Sequence, residues 1–111
     1  MAVKWFFIET GMGTDLHGQD SAKAARRAIQ DALQRNSMLV SGMGDADKIR
    51  IEATVAVPKP EMVKVEDLVA LFPVGRAQVK VVLGGLEFPR PRRPEDPLTV
   101  ASAAIAAGIE E

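Results

Sequence analysis

At 111 residues, with 47% hydrophobic and 26% charged side chains, the chain has the size and balance of one globular domain with its own core. Fourteen basic against 15 acidic side chains leave a formal charge of −1, so there is no field to draw in nucleic acid or an acidic membrane surface. With no cysteine there can be no disulfide, thiolate metal site or catalytic thiol, which suits a reducing, cytoplasmic compartment.

Residues 2 to 9, AVKWFFIE, are a continuous apolar and β-rich run, the pattern of a central strand. This run is not of secretory-leader form, and no stretch of the chain approaches the roughly 20 apolar residues of a membrane span. TGMGTDLHGQD then carries three glycines and reads as a strand-to-helix loop, with Asp20 as N-cap. From Ser21, the positions Ala22, Ala25, Ile29, Ala32 and Leu33 form a helical stripe whose alanines allow close packing on a sheet, and Asn36 is the expected end. A short apolar piece, Met38 to Val40, precedes the turn SGMGDAD.

Ile49, Ile51, Ala53, Val55 and Val57 alternate with polar or small residues, the period of a strand with one buried face, and Pro58 and Pro60 stop it. Val65, Leu68, Val69 and Phe72 have helical spacing, with Glu66 and Asp67 favourably placed in the first turn. Ala77 to Leu86 reads as a strand in which Gly84 and Gly85 mark a bulge or a close backbone approach. EFPRPRRPEDP, with its prolines, is expected to be an exposed loop. Its Arg90, Arg92 and Arg93 are offset locally by Glu87, Glu95 and Asp96, which leaves either a solvated loop or an anion or partner contact. For residues 98 to 109 propensity and pattern leave helix and strand both open.

The resulting expectation is a single α+β domain over residues 1–111, β-α-β-β-α-β-β, with one sheet of four to five strands and two helices packed on one face. The uncovered face of such a sheet is expected to be buried by copies of the same chain.

Chemistry is expected between Glu9 and Asp20, where Glu9, Asp15, His17 and Asp20 bring three carboxylates and the single histidine into twelve residues at a helix start. Gly11, Gly13 and Gly18 could cradle a phosphate, although their spacing fits neither dinucleotide nor P-loop signatures. Asp15, His17 and Asp20 could ligate a divalent metal. His17 could serve as a catalytic base or acid, with a carboxylate fixing its tautomer and a small polar molecule as ligand. The remaining reading is structural: glycines for turns, Asp20 as a cap, Asp15 bonding its own backbone, and His17 as a hydrogen-bonded side chain. SGMGDAD echoes GMGTD over five residues, which a Gly-Asp turn explains. No motif selects a nucleophilic Ser/Lys pair.

The run IETGMGTDLHGQDSAKAARRAIQDALQRNS, with VPKP, FPVG, VVLGGLE and ASAAIAAGI, resembles a family of conserved hypothetical proteins of bacteria and plants of about this length, with no assigned function. More distantly, the β-α-β-β-α-β pattern is similar to one repeat of the cyanuric acid hydrolase and barbiturase ring-opening amidohydrolases. That resemblance implies a homotrimer of sheets around a central axis and makes residues 98 to 109 a strand. It would also imply a Ser/Lys dyad, but ATVAVPKP has Ala56 and Val57 before Pro58 and VKVVLGGLE has no serine. The residues therefore point first to an oligomer binding a small polar ligand or divalent metal through Glu9, Gly11, Gly13, Asp15, His17 and Asp20. The alternatives are a hydrolase of cyclic amides with His17 as base, and a structural or partner-binding protein.

Overall fold

A computed structural model describes residues 2–41 and 45–111. The elements run β1 (Val3–Asp15), α1 (Ser21–Ser41), β2 (Ile49–Val57), α2 (Val65–Val69), β3 (Arg76–Leu83), β4 (Leu86–Arg90) and β5 (Arg93–Glu110), with single 3₁₀ turns before β2 and before α2. They form one mixed sheet of five strands and two helices. The strand order is β1-β5-β2-β3, with β4 pairing the early part of β5; β2 and β3 are parallel and every other pair antiparallel.

The core lies between the sheet and the helices. Ile49, Ile51, Ala53, Val55 and Val57 are all buried on the predicted face of β2, beneath Ala24, Ala25, Ala28, Ile29 and Ala32 of α1 and Leu68 of α2. Each fully buried isoleucine or valine contributes roughly 1.5–3 kcal/mol to folding. The all-round apolar, alanine-rich segment of β5 is a strand, as the resemblance implied. Being flanked by β1 and β2, it turns Ala101, Ala103, Ile105 and Ala107 towards α1 and Ser102 and Ala104 towards the open face.

Several boundaries differ from expectation. β1 does not stop at Glu9 but continues through both glycines to Asp15, because Gly11 and Gly13 lie directly under α1. A Cβ on Gly13 would sit 2.7 Å from the carbonyl carbon of Arg27, and one on Gly11 2.7 Å from the amide nitrogen of Ala32. Glycine is thus used for helix-to-strand contact rather than for a turn. α1 runs past Asn36 to Ser41, so Met38–Val40 is helical and adds no strand. Of the turn SGMGDAD, residues 42–44 lie outside the described residues, and Asp45 caps the 3₁₀ turn Ala46–Lys48 through a bond from the Asp47 amide.

The larger correction concerns EFPRPRRPEDP, which is not a loop but β4, a tight turn and the start of β5. Phe88 pairs with Leu98 and Arg90 with Arg93, so the single residue Pro89 faces four residues, 94–97, on β5. Prolines 89, 94 and 97 therefore fall in a bulge and need donate nothing to the ladder, while Pro91 opens the turn. The Gly84-Gly85 pair is the close approach anticipated. Gly85 (φ +70°) passes against the backbone of Val100 and Ala56, letting the chain step from β3 across the end of β2 onto β5.

Both helices cover one face. The other is open, with Ile8 and Met12 exposed around Thr10, Thr54, Ser102 and Ala104. No helix among the described residues is long and apolar enough to cross a membrane.

Candidate functional site

With β1 extended to Asp15, the connection to α1 shrinks to residues 16–20, and nearly every polar group in it is tied down. Asp20 caps α1 as expected: its carboxylate accepts from the Lys23 amide (3.1 Å). Asp15 is buried, 2% exposed, because its carboxylate closes the same turn from below. Oδ2 accepts from the Asp20 amide (2.8 Å), and Oδ1 lies 3.6 Å from Lys23 Nζ. The helix N-terminus beside it stabilises that negative charge. Ser21, also buried, accepts the Lys59 amide on Oγ (3.1 Å) and so ties the exit of β2 to the start of α1.

His17 projects from this turn, with its side chain 66% exposed. Its carboxylate partner is neither Asp15 nor Asp20 but Asp96, from the proline-framed bulge of β5. His17 Nδ1 lies 2.9 Å from Asp96 Oδ2, and the Gly18 amide donates to Asp96 Oδ1 (3.1 Å). Asp96 is held below its ordinary carboxylate value, first by the His17 hydrogen bond and then by the Gly18 amide; these outweigh partial desolvation, and the charges of His17 and Arg90 add smaller help. Opposite an ionised carboxylate Nδ1 is the donor, so the neutral ring carries its proton there and leaves the Nε2 lone pair to solvent.

Two left-handed residues, Gly18 (φ +93°) and Gln19 (φ +52°), make this geometry possible. Gln19 is held in that conformation from both ends of its amide, Nε2 donating to the Glu95 carbonyl (3.3 Å) and Oε1 accepting from Lys59 Nζ (3.0 Å). Arg90 Nε donates to the Asp96 carbonyl (2.9 Å), fixing the bulge from the β4 side. The buried Thr99 hydroxyl beside Asp15 in the ladder and Arg90 Nη2 have no hydrogen-bond partner among the described residues.

The sequence-predicted residues therefore divide. Asp15, His17 and Asp20 meet at one turn. Gly11 and Gly13 sit within β1 under α1. Glu9 pairs with Ile105, six residues up the strand from Asp15, or about 20 Å away at strand spacing. Among the described residues no three His, Asp or Glu side chains gather to hold a metal ion. What the geometry offers is an oriented imidazole at the surface, able to exchange a proton or accept a hydrogen bond through Nε2. Asp96, Gln19, Lys59 and Arg90 were not singled out for this site from sequence. An acidic pair between Pro94 and Pro97 was the available signal, since two prolines stiffen the backbone that presents Asp96.

Fold and turn together define a small one-sheet α+β protein in which a proline-framed strand bulge grips a histidine-bearing helix entry. The chain belongs to the family described as conserved hypothetical protein (Lin0512_fam), whose model matches residues 5–107. A crystal structure described as an FtsZ-like protein of unknown function, from Nostoc punctiforme PCC 73102, is similar to it at 37% identity. It matches with a TM-score of 0.82 over 100% of this chain and 99% of that one. No curated protein matches the chain.

Proposed function

We propose that this protein is a homo-oligomer that binds a small polar ligand at His17, with Nε2 as the recognising atom and Asp96 as the group that orients the ring. The observation carrying this reading is the pair His17 Nδ1–Asp96 Oδ2 at 2.9 Å, backed by the Gly18 amide on the other carboxylate oxygen. An exposed histidine with no functional demand gains little from a partner 79 residues away held by a second, separate hydrogen bond. Asp15 and Asp20 shape the turn, and Lys59 and Arg90 supply positive charge to its rim. This arrangement favours an uncharged or anionic ligand over a divalent metal. The open sheet face, with Ile8 and Met12 exposed, supports assembly of copies, and a trimer around a central axis is the favoured form.

A second reading, a hydrolase of cyclic amides with His17 as general base, draws on the same carboxylate-oriented imidazole. One experiment separates the two. Binding of phosphate, succinate and barbiturate is followed through the His17 ring signals, which are unique because the chain has one histidine. Loss of barbiturate ultraviolet absorbance reports ring opening. Shifts without turnover support the binding reading, turnover lost in His17→Ala supports the hydrolase, and binding that persists unchanged in His17→Ala, read by titration calorimetry, refutes both.

A further inference from the structure

The radius of gyration is 15.0 Å, against about 13 Å for a compact domain of this length. The longest extent is 53 Å, more than twice the next. The surplus has a source in the β4/β5 ribbon, which before Thr99 forms strand pairs only with itself, is tied to the rest of the fold through the Glu95 and Asp96 bonds to residues 17–19, and has no core of its own. Leu86 and Phe88 are each 53% exposed. A two-stranded ribbon left bare in water is marginally stable.

Its tip is built for a partner of definite chemistry. A depression of about 470 Å³ has Phe88, Leu98 and Pro91 as its floor and Arg90, Arg92 and Arg93 as its rim, with no acidic side chain in the lining. Arg90 and Arg93 stand directly opposite each other in the ladder, a like-charge pair that costs stability when nothing lies between. Arg92 and Arg93 have no side-chain hydrogen bond or ion pair among the described residues, and Arg90 Nη2 is buried without an acceptor. An apolar group flanked by carboxylates would cover Phe88 and Leu98 and pair the Arg92 and Arg93 guanidinium groups.

The chain carries such a group elsewhere. From Glu61 to Asp67, across the 3₁₀ turn and the first turn of α2, Met62 (43%) and Val65 (38%) are exposed among Glu61, Glu66 and Asp67, which outnumber the single exposed cation there, Lys64. Those three carboxylates also lack any side-chain partner among the described residues. We infer that the β4/β5 arm of one copy docks on the Glu61–Asp67 knuckle of a second copy, with Phe88 against Met62 and Val65 and the arginines against the carboxylates. The contact joins two different surfaces, so it runs head to tail and closes into a ring or extends as a filament.

This inference rests on the homo-oligomer proposed above and names a contact that holds it. In sedimentation at micromolar concentration the wild-type protein assembles, and added salt loosens it. Arg92→Glu/Arg93→Glu and Glu66→Arg/Asp67→Arg each reduce assembly to monomer with an unchanged circular dichroism spectrum, and combining the four changes restores it. Because the chain has no cysteine, Arg92→Cys and Asp67→Cys proteins mixed under mild oxidation give a disulfide-linked heterodimer. A monomeric wild type overturns both the homo-oligomer and this contact. An assembly indifferent to the reversals, or a mixture that does not cross-link, overturns this contact alone. His17 ligand binding is read separately throughout.

Discussion

Substituting Gly13 by alanine tests whether the glycines of β1 serve helix packing. The added Cβ would lie 2.7 Å from the Arg27 carbonyl carbon and closer still to the Ala24 carbonyl oxygen and Ala28 amide nitrogen. Carbon contacts settle at about 3.5–4.0 Å, so α1 must retreat by about 1 Å along the interface that buries Ala24, Ala28, Ile29 and Ala32. All three obstructing atoms are backbone, and no rotamer change relieves them. Overpacking of this kind costs about 1–3 kcal/mol. Lower strand entropy for alanine returns about 0.5–1 kcal/mol. With backbone on all three sides the upper end of that cost applies, and the net loss of about 2 kcal/mol lowers the melting temperature by about 8–16 °C, read by thermal circular dichroism with urea unfolding for the free energy. Gly18→Ala is the control: its Cβ meets only Asp15 Oδ2 at 3.9 Å, and its left-handed backbone costs about 1–2 kcal/mol with no helix displacement. A Gly13→Ala protein within about 0.5 kcal/mol of wild type would refute the packing account.

Asp20→Ala removes the cap of α1 and is expected to cost about 0.5–2 kcal/mol in urea unfolding; no loss means the Lys23 amide bond is idle. Ser21→Ala strands the Lys59 amide in a half-buried position, with an expected cost of about 1–3 kcal/mol, and a neutral result means water replaces the hydroxyl. Asp96 sits below its unfolded value in the folded state, so its stabilisation is present above the unfolded carboxylate pKa and is lost as pH falls through the folded one. The stability difference between wild type and Asp96→Asn should therefore be constant near neutrality and shrink below about pH 4. A difference that grows on acidification has the wrong sign for this arrangement.

The parts of the fold written as periodicity were legible. β2 matched its alternation residue for residue, and Asp20 announced the start of α1. What was hidden depended on neighbours distant in sequence. Gly11 and Gly13 look like turn residues until Ala24, Ala28 and Ala32 arrive above them, because a backbone that must approach a helix needs the same residue as a backbone that must turn. The prolines of the β4/β5 ribbon look like strand breakers, and they are tolerated because a one-against-four bulge takes them off the ladder. The site was half legible for the same reason. The crowding of acids around His17 marked the place, but local carboxylates went to capping and turn closure, and the one that orients the imidazole came from 79 residues away.

The central claim is that Asp96 fixes the His17 ring so that Nε2 faces solvent as an acceptor. Long-range ¹⁵N–¹H correlation on uniformly labelled protein, at a pH where the ring is neutral, reads the tautomer of the single histidine directly. The account predicts the Nδ1–H form in the wild-type protein and a return towards the ordinary mixture in Asp96→Asn. A wild-type ring protonated on Nε2, or a tautomer ratio indifferent to residue 96, would contradict it.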